Sequence, residues 1–275
     1  HAALPRARWR QRSRARPEAP SLNRAAEWHG PLWFFAAHHK AGTNLLHDLA
    51  AIQASALNLL LCTGTCGLNF DFGKPCELDE TSVSERTMFY CNTGVGEMDA
   101  ARKVAKGHLR AVHIIRDPVA LVVSGYVYDM HNNDGFHASR SMRRKNTTAG
   151  IAMEAEFMLK DVLPTMLAVH RNGQASGDTL VLRMEEFLES SESFDETVAR
   201  LYNFTLGDFA GAGLLQKVCS MATKEDLRRH PEPEGVSAVS PAHLKRQAEA
   251  ALERIPADLL AKLHQYRRDL GYTDS

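Results

Sequence analysis

The stretch "PLWFFAAH" (Pro31–His38) limits this chain more than any other. It is a continuous apolar run with no polar alternation, so a strand made from it must be covered on both faces, as a parallel strand between two helical layers is. "HKAGT" follows, with Gly42 to allow a tight turn. From Asn44 to about Leu59 the apolar residues Leu45, Leu46, Leu49, Ile52 and Leu57 recur at helical spacing. Strand, small-residue loop and helix in that order belong to an α/β protein.

The rest of the chain repeats the theme. "TMFYCN" (Thr87–Asn92), "RAVHII" (Arg110–Ile115) and "TLVLRME" (Thr179–Glu185) read as strands. Helices are expected at Glu97–Lys106, at Pro118–His131, where proline suits a first helical turn, and at Ile151–His170 with a kink at Pro164. Four more are expected at Ser193–Tyr202, Phe209–Met221, Pro241–Arg254 and Pro256–Leu270. Residues 62–86, 132–150 and 223–240 read as loops. Strands separated by helices predict a parallel sheet with helices on both faces. Ligands of such sheets bind at the carboxyl ends of the strands, near a topological switch point. The loops after His38, Asn92, Ile115 and Arg183 are therefore the places for a site.

Charge says little about partners overall, because Lys+Arg and Asp+Glu both count 33 among 275 residues. The average hides "RARWRQRSRAR", in which Arg6, Arg8, Arg10, Arg12, Arg14 and Arg16 alternate among prolines. Residues 1–30 read as a solvated, disordered arm and linker, with a tether to polyanions as the other reading; residues 31–275 form the expected domain. No apolar run approaches the roughly 18 residues of a membrane span, and no signal peptide is visible. The chain opens on His1, the start expected of a trimmed sequence, and an anchor ahead of it stays open. Cys62, Cys66, Cys76 and Cys91 cluster while Cys219 stands apart. Their spacing is poor for zinc, and disulfides and buried thiols are both open. Sequons at Asn146 and Asn203, with those cysteines, tilt the choice between cytoplasm and Golgi lumen towards the lumen.

The loop after the first strand has chemistry of its own. The N–H groups of Gly42, Thr43, Asn44 and Leu45 would open the following helix, where they lack helical partners and carry partial positive charge. Thr43 adds a hydroxyl and Lys40 a mobile cation. That suits an anion, although an ordinary strand–helix turn with a surface lysine is the plain alternative. The pattern GxxxxGK[ST] is absent, since the lysine precedes the turn, which disfavours a nucleotide triphosphatase. A second anion site is suggested by "RDPVALVVS": Arg116 ends a strand and Ser124 lies eight residues on, inside a helix. They converge only if the chain doubles back at Asp117-Pro118, and then offer fork donors and a hydroxyl to a phosphate monoester.

Lys40-Ala41-Gly42-Thr43, Arg116-Asp117-Pro118 and Ser124 together resemble the sulfotransferases that use 3′-phosphoadenylyl sulfate (PAPS). "SGYVY" (Ser124–Tyr128), "LVLRMEEFLESSESFDETVARLYNFTLG" (Leu180–Gly207) and "IPADLLAKLHQYRRDLGY" (Ile255–Tyr272) extend the likeness over about residues 32–272. The resemblance implies a single three-layer α/β/α domain with a P-loop NTPase-like parallel sheet. It also implies transfer of a sulfuryl group from PAPS to a hydroxyl or amine of a glycan or small molecule, with no metal. By the same resemblance Lys40 meets the bridging oxygen, and Thr43 with the backbone of Ala41 to Leu45, Asn44 included, meets the 5′-phosphate. Arg116 and Ser124 would hold the 3′-phosphate, and Arg228, Arg229 and Gly235 stand in for the family's R-K-G lid. The family's histidine after the second strand is replaced by Asn92 and Thr93.

The base is therefore open among His39, Glu97 and His131, with His38 pointing another way from His39. Packing explains the histidines as well, and helix capping explains Glu97. A P-loop-like kinase and an inactive nucleotide- or glycan-binding module are the competing functions. No nucleic-acid partner is expected. The loops 62–86 and 132–150 and the segment 223–240 are expected to line the acceptor side. "SRSMRRK" (Ser139–Lys145) there reads as a solvated loop or as a seat for an anionic glycan.

Overall fold

A computed structural model describes residues 30–64, 86–131, 141–231 and 241–273. The expected arm lies outside these residues except for Gly30, as do Gly235, residues 65–85 and residues 132–140.

Five parallel strands form one sheet in the order β2-β3-β1-β4-β5. They are β1 (Leu32–Ala37), β2 (Leu60–Thr63), β3 (Arg86–Cys91), β4 (Leu109–Ile115) and β5 (Thr179–Arg183). The apolar run holds the centre: β1 is buried throughout, with Phe35 level with Phe89 of β3 and Val112 of β4. Its side chains alternate between layers. Trp33, Phe35 and Ala37 face α1 (Thr43–Ala56), α7 (Ser191–Leu206) and α8 (Ala212–Ala222). The Trp33 indole N–H is satisfied by the Thr205 carbonyl at 2.8 Å. Leu32, Phe34 and Ala36 face the opposite layer, where α2 (Val95–Ala105) packs. That layer also holds α3 (Pro118–His131), α4 (Thr147–Phe157), α5 (Leu163–Ser176), α9 (Ala242–Leu252) and α10 (Ala257–Asp269). The architecture is thus an α/β domain with a central parallel sheet flanked by helices.

Three elements differ from the expectation. Residues 60–63 form the edge strand β2 where helix end and loop were expected; with only four residues and Leu60 exposed, it gives little apolar periodicity to read. β5 ends at Arg183, because Glu186 accepts the Arg183 N–H at 3.1 Å and starts the short helix α6 (Met184–Glu189). The long helix 151–170 starts earlier, at Thr147, where Asn146 accepts the Ala149 N–H at 2.9 Å. It is broken by a π-helical turn, Met158–Val162, rather than bent at Pro164 itself. Pro164 sits in the first turn of α5, where its missing N–H is harmless.

From β1 the chain passes to β2 at one edge, returns through β3 beside β1, then crosses to β4 and β5 on the other side. The switch falls between β1 and β4, so their carboxyl ends border a crevice. Cys62 and Cys91, at neighbouring ends of β2 and β3, are disulfide-bonded, and Cys219 is free.

Candidate functional site

A cavity of about 910 Å³ opens at the carboxyl ends of the strands. Three chain turns shape it.

The first follows β1. Lys40 takes φ 60° and Gly42 φ 95°, so the backbone passes twice through the left-handed region in three residues. Position 42 also has no room: a Cβ there would lie 2.7 Å from Met184 Sδ and 2.8 Å from Ile114 Cδ1. The Ala41 N–H donates to the His38 carbonyl at 3.0 Å, and the Thr43 hydroxyl donates to the same carbonyl at 2.9 Å. Gly42, Thr43, Asn44 and Leu45 line the cavity at the open N-terminus of α1, where the first helical bond is Leu46 N–H to Gly42 O at 2.9 Å. Ala41 does not line it; its side chain is fully buried in the core. The Lys40 ammonium lies 3.5 Å from the centre of the Tyr128 ring.

The second turn follows β4. Asp117 caps α3 by accepting the Val119 N–H at 2.8 Å, and Pro118 opens the helix. The chain doubles back there, as convergence requires. Arg116 Nη1 donates to Ser124 Oγ at 3.0 Å and to the Lys40 carbonyl at 2.9 Å. One guanidinium nitrogen therefore joins both sequence motifs, while Arg116 Nε is buried without a partner. Burial pushes the Arg116 pKa down, against the nearby carboxylates of Glu185 and Asp117; a guanidinium stays charged regardless.

The third turn follows β5. Glu185 Oε1 accepts the Asp117 N–H at 3.0 Å, and Glu185 Oε2 accepts the Tyr272 hydroxyl at 2.9 Å. Met184, Phe187, Leu188 and Leu227 give the cavity an apolar wall. Arg228 lines that wall and donates to the Leu188 carbonyl at 2.7 Å. Arg229 is not part of the lining; its guanidinium pairs with both oxygens of Asp195 at 2.6 and 2.7 Å.

Lys40 and the three candidates for the base separate in space. Lys40 and His39 line the cavity. Glu97 instead closes a capping box on α2, accepting the Gly94 N–H at 2.9 Å, and is not in the lining. His131 ends α3, and its side chain lies outside the described residues. Burial, then the Lys40 charge, push the His39 pKa down to about 4, so the imidazole is neutral at neutral pH. His38 turns away, as alternation demands, and meets His113 Nε2 at 2.9 Å with both rings buried. Asn92, at the position where a histidine was sought, takes φ 54° and accepts the His39 N–H at 2.9 Å.

Sequence reasoning left several lining residues unassigned. Asp117 and Tyr128 stood within motifs but without a role. Glu185 and Arg267 had no local signal, because their partners are distant in sequence. Glu154, which lies outside the lining, did leave one: it falls on the same helical face as Ile151, Ala155 and Met158, all fully buried. Among the described residues no cluster of His, Cys, Asp and Glu has the makings of a metal site. No described helix is long and apolar enough to cross a membrane.

No family model and no curated protein matches the chain. Solved structures do. The crystal structure of mouse sulfotransferase SULT7A1 complexed with PAP superposes with a TM-score of 0.51 and 12% identity, over 88% of this chain and 85% of that one. At that identity the likeness is one of fold, and it extends over most of both chains.

Proposed function

We propose that this protein is a sulfotransferase that takes its sulfuryl group from PAPS. The observation that carries the reading is the single nitrogen of Arg116, bonded at once to Ser124 and to the Lys40 carbonyl. A nucleotide with anionic groups at both ends needs two anion seats at a fixed distance. The open N-terminus of α1 with Lys40 provides one, and Arg116 with Ser124 the other. The apolar wall of Met184, Phe187 and Leu227 suits the purine, which the ribose carries beside the two anions.

In the proposed reaction an acceptor oxygen or nitrogen attacks sulfur in line. A new bond to sulfur forms, the bond from sulfur to the bridging oxygen breaks, and the electron pair stays on the 5′-phosphate of adenosine 3′,5′-bisphosphate. Lys40 leaves the Tyr128 ring to meet the charge that grows on that oxygen. The acceptor proton passes to a base, and His39, neutral and in the cavity, is our assignment. A donor anion beside it would raise its pKa from about 4 towards a useful value. Arg228 sits on the purine side, whereas Arg229 is engaged with Asp195 and is left out of the donor site. The acceptor is a hydroxyl or amine of a glycan or small molecule. The disulfides at Cys62 and Cys91 favour an oxidising lumen, the Golgi among them, over the cytoplasm.

The low pKa of His39 supports a second reading, a nucleotide binder without turnover. Calorimetry of adenosine 3′,5′-bisphosphate against ATP, on wild type and Arg116→Ala, tests donor recognition, and sulfate transfer to an acceptor panel tests turnover. The bisphosphate should bind far tighter than ATP, and Arg116→Ala should lose at least about tenfold. Equal affinity for ATP, or an unaffected variant, would sink the donor assignment.

A further inference from the structure

Glu154 is fully buried, and neither carboxylate oxygen has a hydrogen-bond partner. An ionised carboxylate in that position is costly, which favours the neutral form. Burial, then the charge of Asp129, push its pKa up to about 8, and Lys40 acts the other way. The position is made for it. A Cβ at residue 125 would collide with Glu154 Oε1, so only glycine on α3 leaves the space. Gly125 follows Ser124 directly. Tyr128, which holds the Lys40 ammonium, stands one helical turn further on the same helix.

The charged groups that act on the carboxyl are Asp129 from α3 and Lys40 from the loop after β1. Met158, from the π-helical turn, adds only a thioether. Lys245 and Glu249 of α9, and His264 and Arg267 of α10, lie on helices packed against α3, but they line the cavity instead.

We propose that Glu154 is a positioning residue for Lys40, taking up a proton when an anion is seated on the loop and thereby leaving the ammonium to that anion. Ionised Glu154 would hold the lysine back towards α3; neutral Glu154 releases it. The inference rests on the donor reading for the identity of the anion, but not for the proton coupling. An anion placed on Lys40 cancels the positive charge that favours ionised Glu154. The carboxyl then binds its proton more tightly, and by linkage the anion binds more weakly where that proton is lost.

The test is calorimetry of adenosine 3′,5′-bisphosphate at pH 7 and pH 9, each in two buffers of different ionisation enthalpy. Phosphate groups titrate near pH 6 and do not interfere in this range. If binding raises the Glu154 pKa by about one unit, the wild-type Kd should rise about fivefold from pH 7 to pH 9, with net proton uptake. In Glu154→Gln the ratio of the two Kd values should fall to about one and the proton uptake at pH 9, where His39 stays neutral in either state, should vanish. A constant wild-type Kd, or the same fivefold change in Glu154→Gln, overturns the proposal. A merely structural glutamate would weaken binding at both pH values and keep their ratio. If the bisphosphate fails to bind at pH 7, the donor reading fails instead, and the same comparison with inorganic sulfate, which does not titrate in this range, still decides the role of Glu154.

Discussion

Arg267 on the last helix donates from Nε to Asp117 Oδ2 at 2.8 Å, across 150 residues of chain. The pair is mostly buried and sits in the R-D-P turn that aims Arg116. Tyr272, just past the same helix, holds Glu185, which in turn accepts the Asp117 N–H. The C-terminal segment therefore braces the second anion seat from outside it.

Arg267→Ala should destabilise the fold by about 2 kcal/mol, the order expected for a charged hydrogen bond lost from a part-buried site. It should also weaken binding of adenosine 3′,5′-bisphosphate. Urea unfolding and calorimetry measure the two effects. Tyr272→Phe removes only the hydroxyl contact to Glu185 and should cost less, about 1 kcal/mol.

Gly42→Ala should be among the most damaging small substitutions. The added carbon meets Met184 and Ile114 at under 3 Å, and the residue must keep φ 95°. A loss of about 2 kcal/mol or more is expected, from strain and overpacking together. Thermal unfolding against Gly96→Ala, where no atom lies within 4 Å of the new carbon, supplies the control.

Stability should fall on both sides of mid-range pH, for opposite reasons. Glu154 titrates at about 8 when folded against 4.5 when free. Its contribution is complete below pH 4.5 and is lost as pH rises from there through 8, because the folded state then holds a proton that the unfolded chain has released. Burial pushes the His38 pKa down to about 3, against 6.5 when free. That contribution is present above pH 6.5 and is lost as pH falls towards 3. Glu154→Gln should therefore gain on wild type as pH rises from 5 to 8, by up to roughly 4 kcal/mol. Urea midpoints at pH 5, 6.5 and 8 would show it; a constant difference between the two proteins would contradict it.

Reduction should matter. With Cys62 and Cys91 disulfide-bonded, dithiothreitol should lower Tm, with a loss of about 2–4 kcal/mol per bond removed. Cys219→Ser, at the free thiol, should leave that sensitivity in place. Differential scanning calorimetry with and without reductant measures both.

The sheet was legible in the sequence because its central strand is so uniformly apolar. Lys40, Gly42, Thr43, Arg116 and Ser124 were legible because an anion seat at a strand end is built from neighbours in sequence, and the proline at 118 marked the reversal between the last two. Glu185, Arg267 and Tyr272 were not, because their roles exist only after segments 68 to 150 residues apart come together. Glu97 offered two roles at the sequence level, and the structure spatially separates it from the cavity as a cap. Glu154 was visible as a charge on an apolar helical face, but only its packing against Gly125 shows why the position has room for a carboxyl.

Lys40 and Arg116 hang from β1 and β4, the two most enclosed strands of the sheet. Segments of this kind open to solvent only when a domain unfolds as a whole, while edge turns open alone. The two proposed anion seats thus share the lifetime of the entire fold and have no private mode of melting. The turn after β5 shares that lifetime, because Met184 crowds Gly42 and Glu185 accepts the Asp117 N–H.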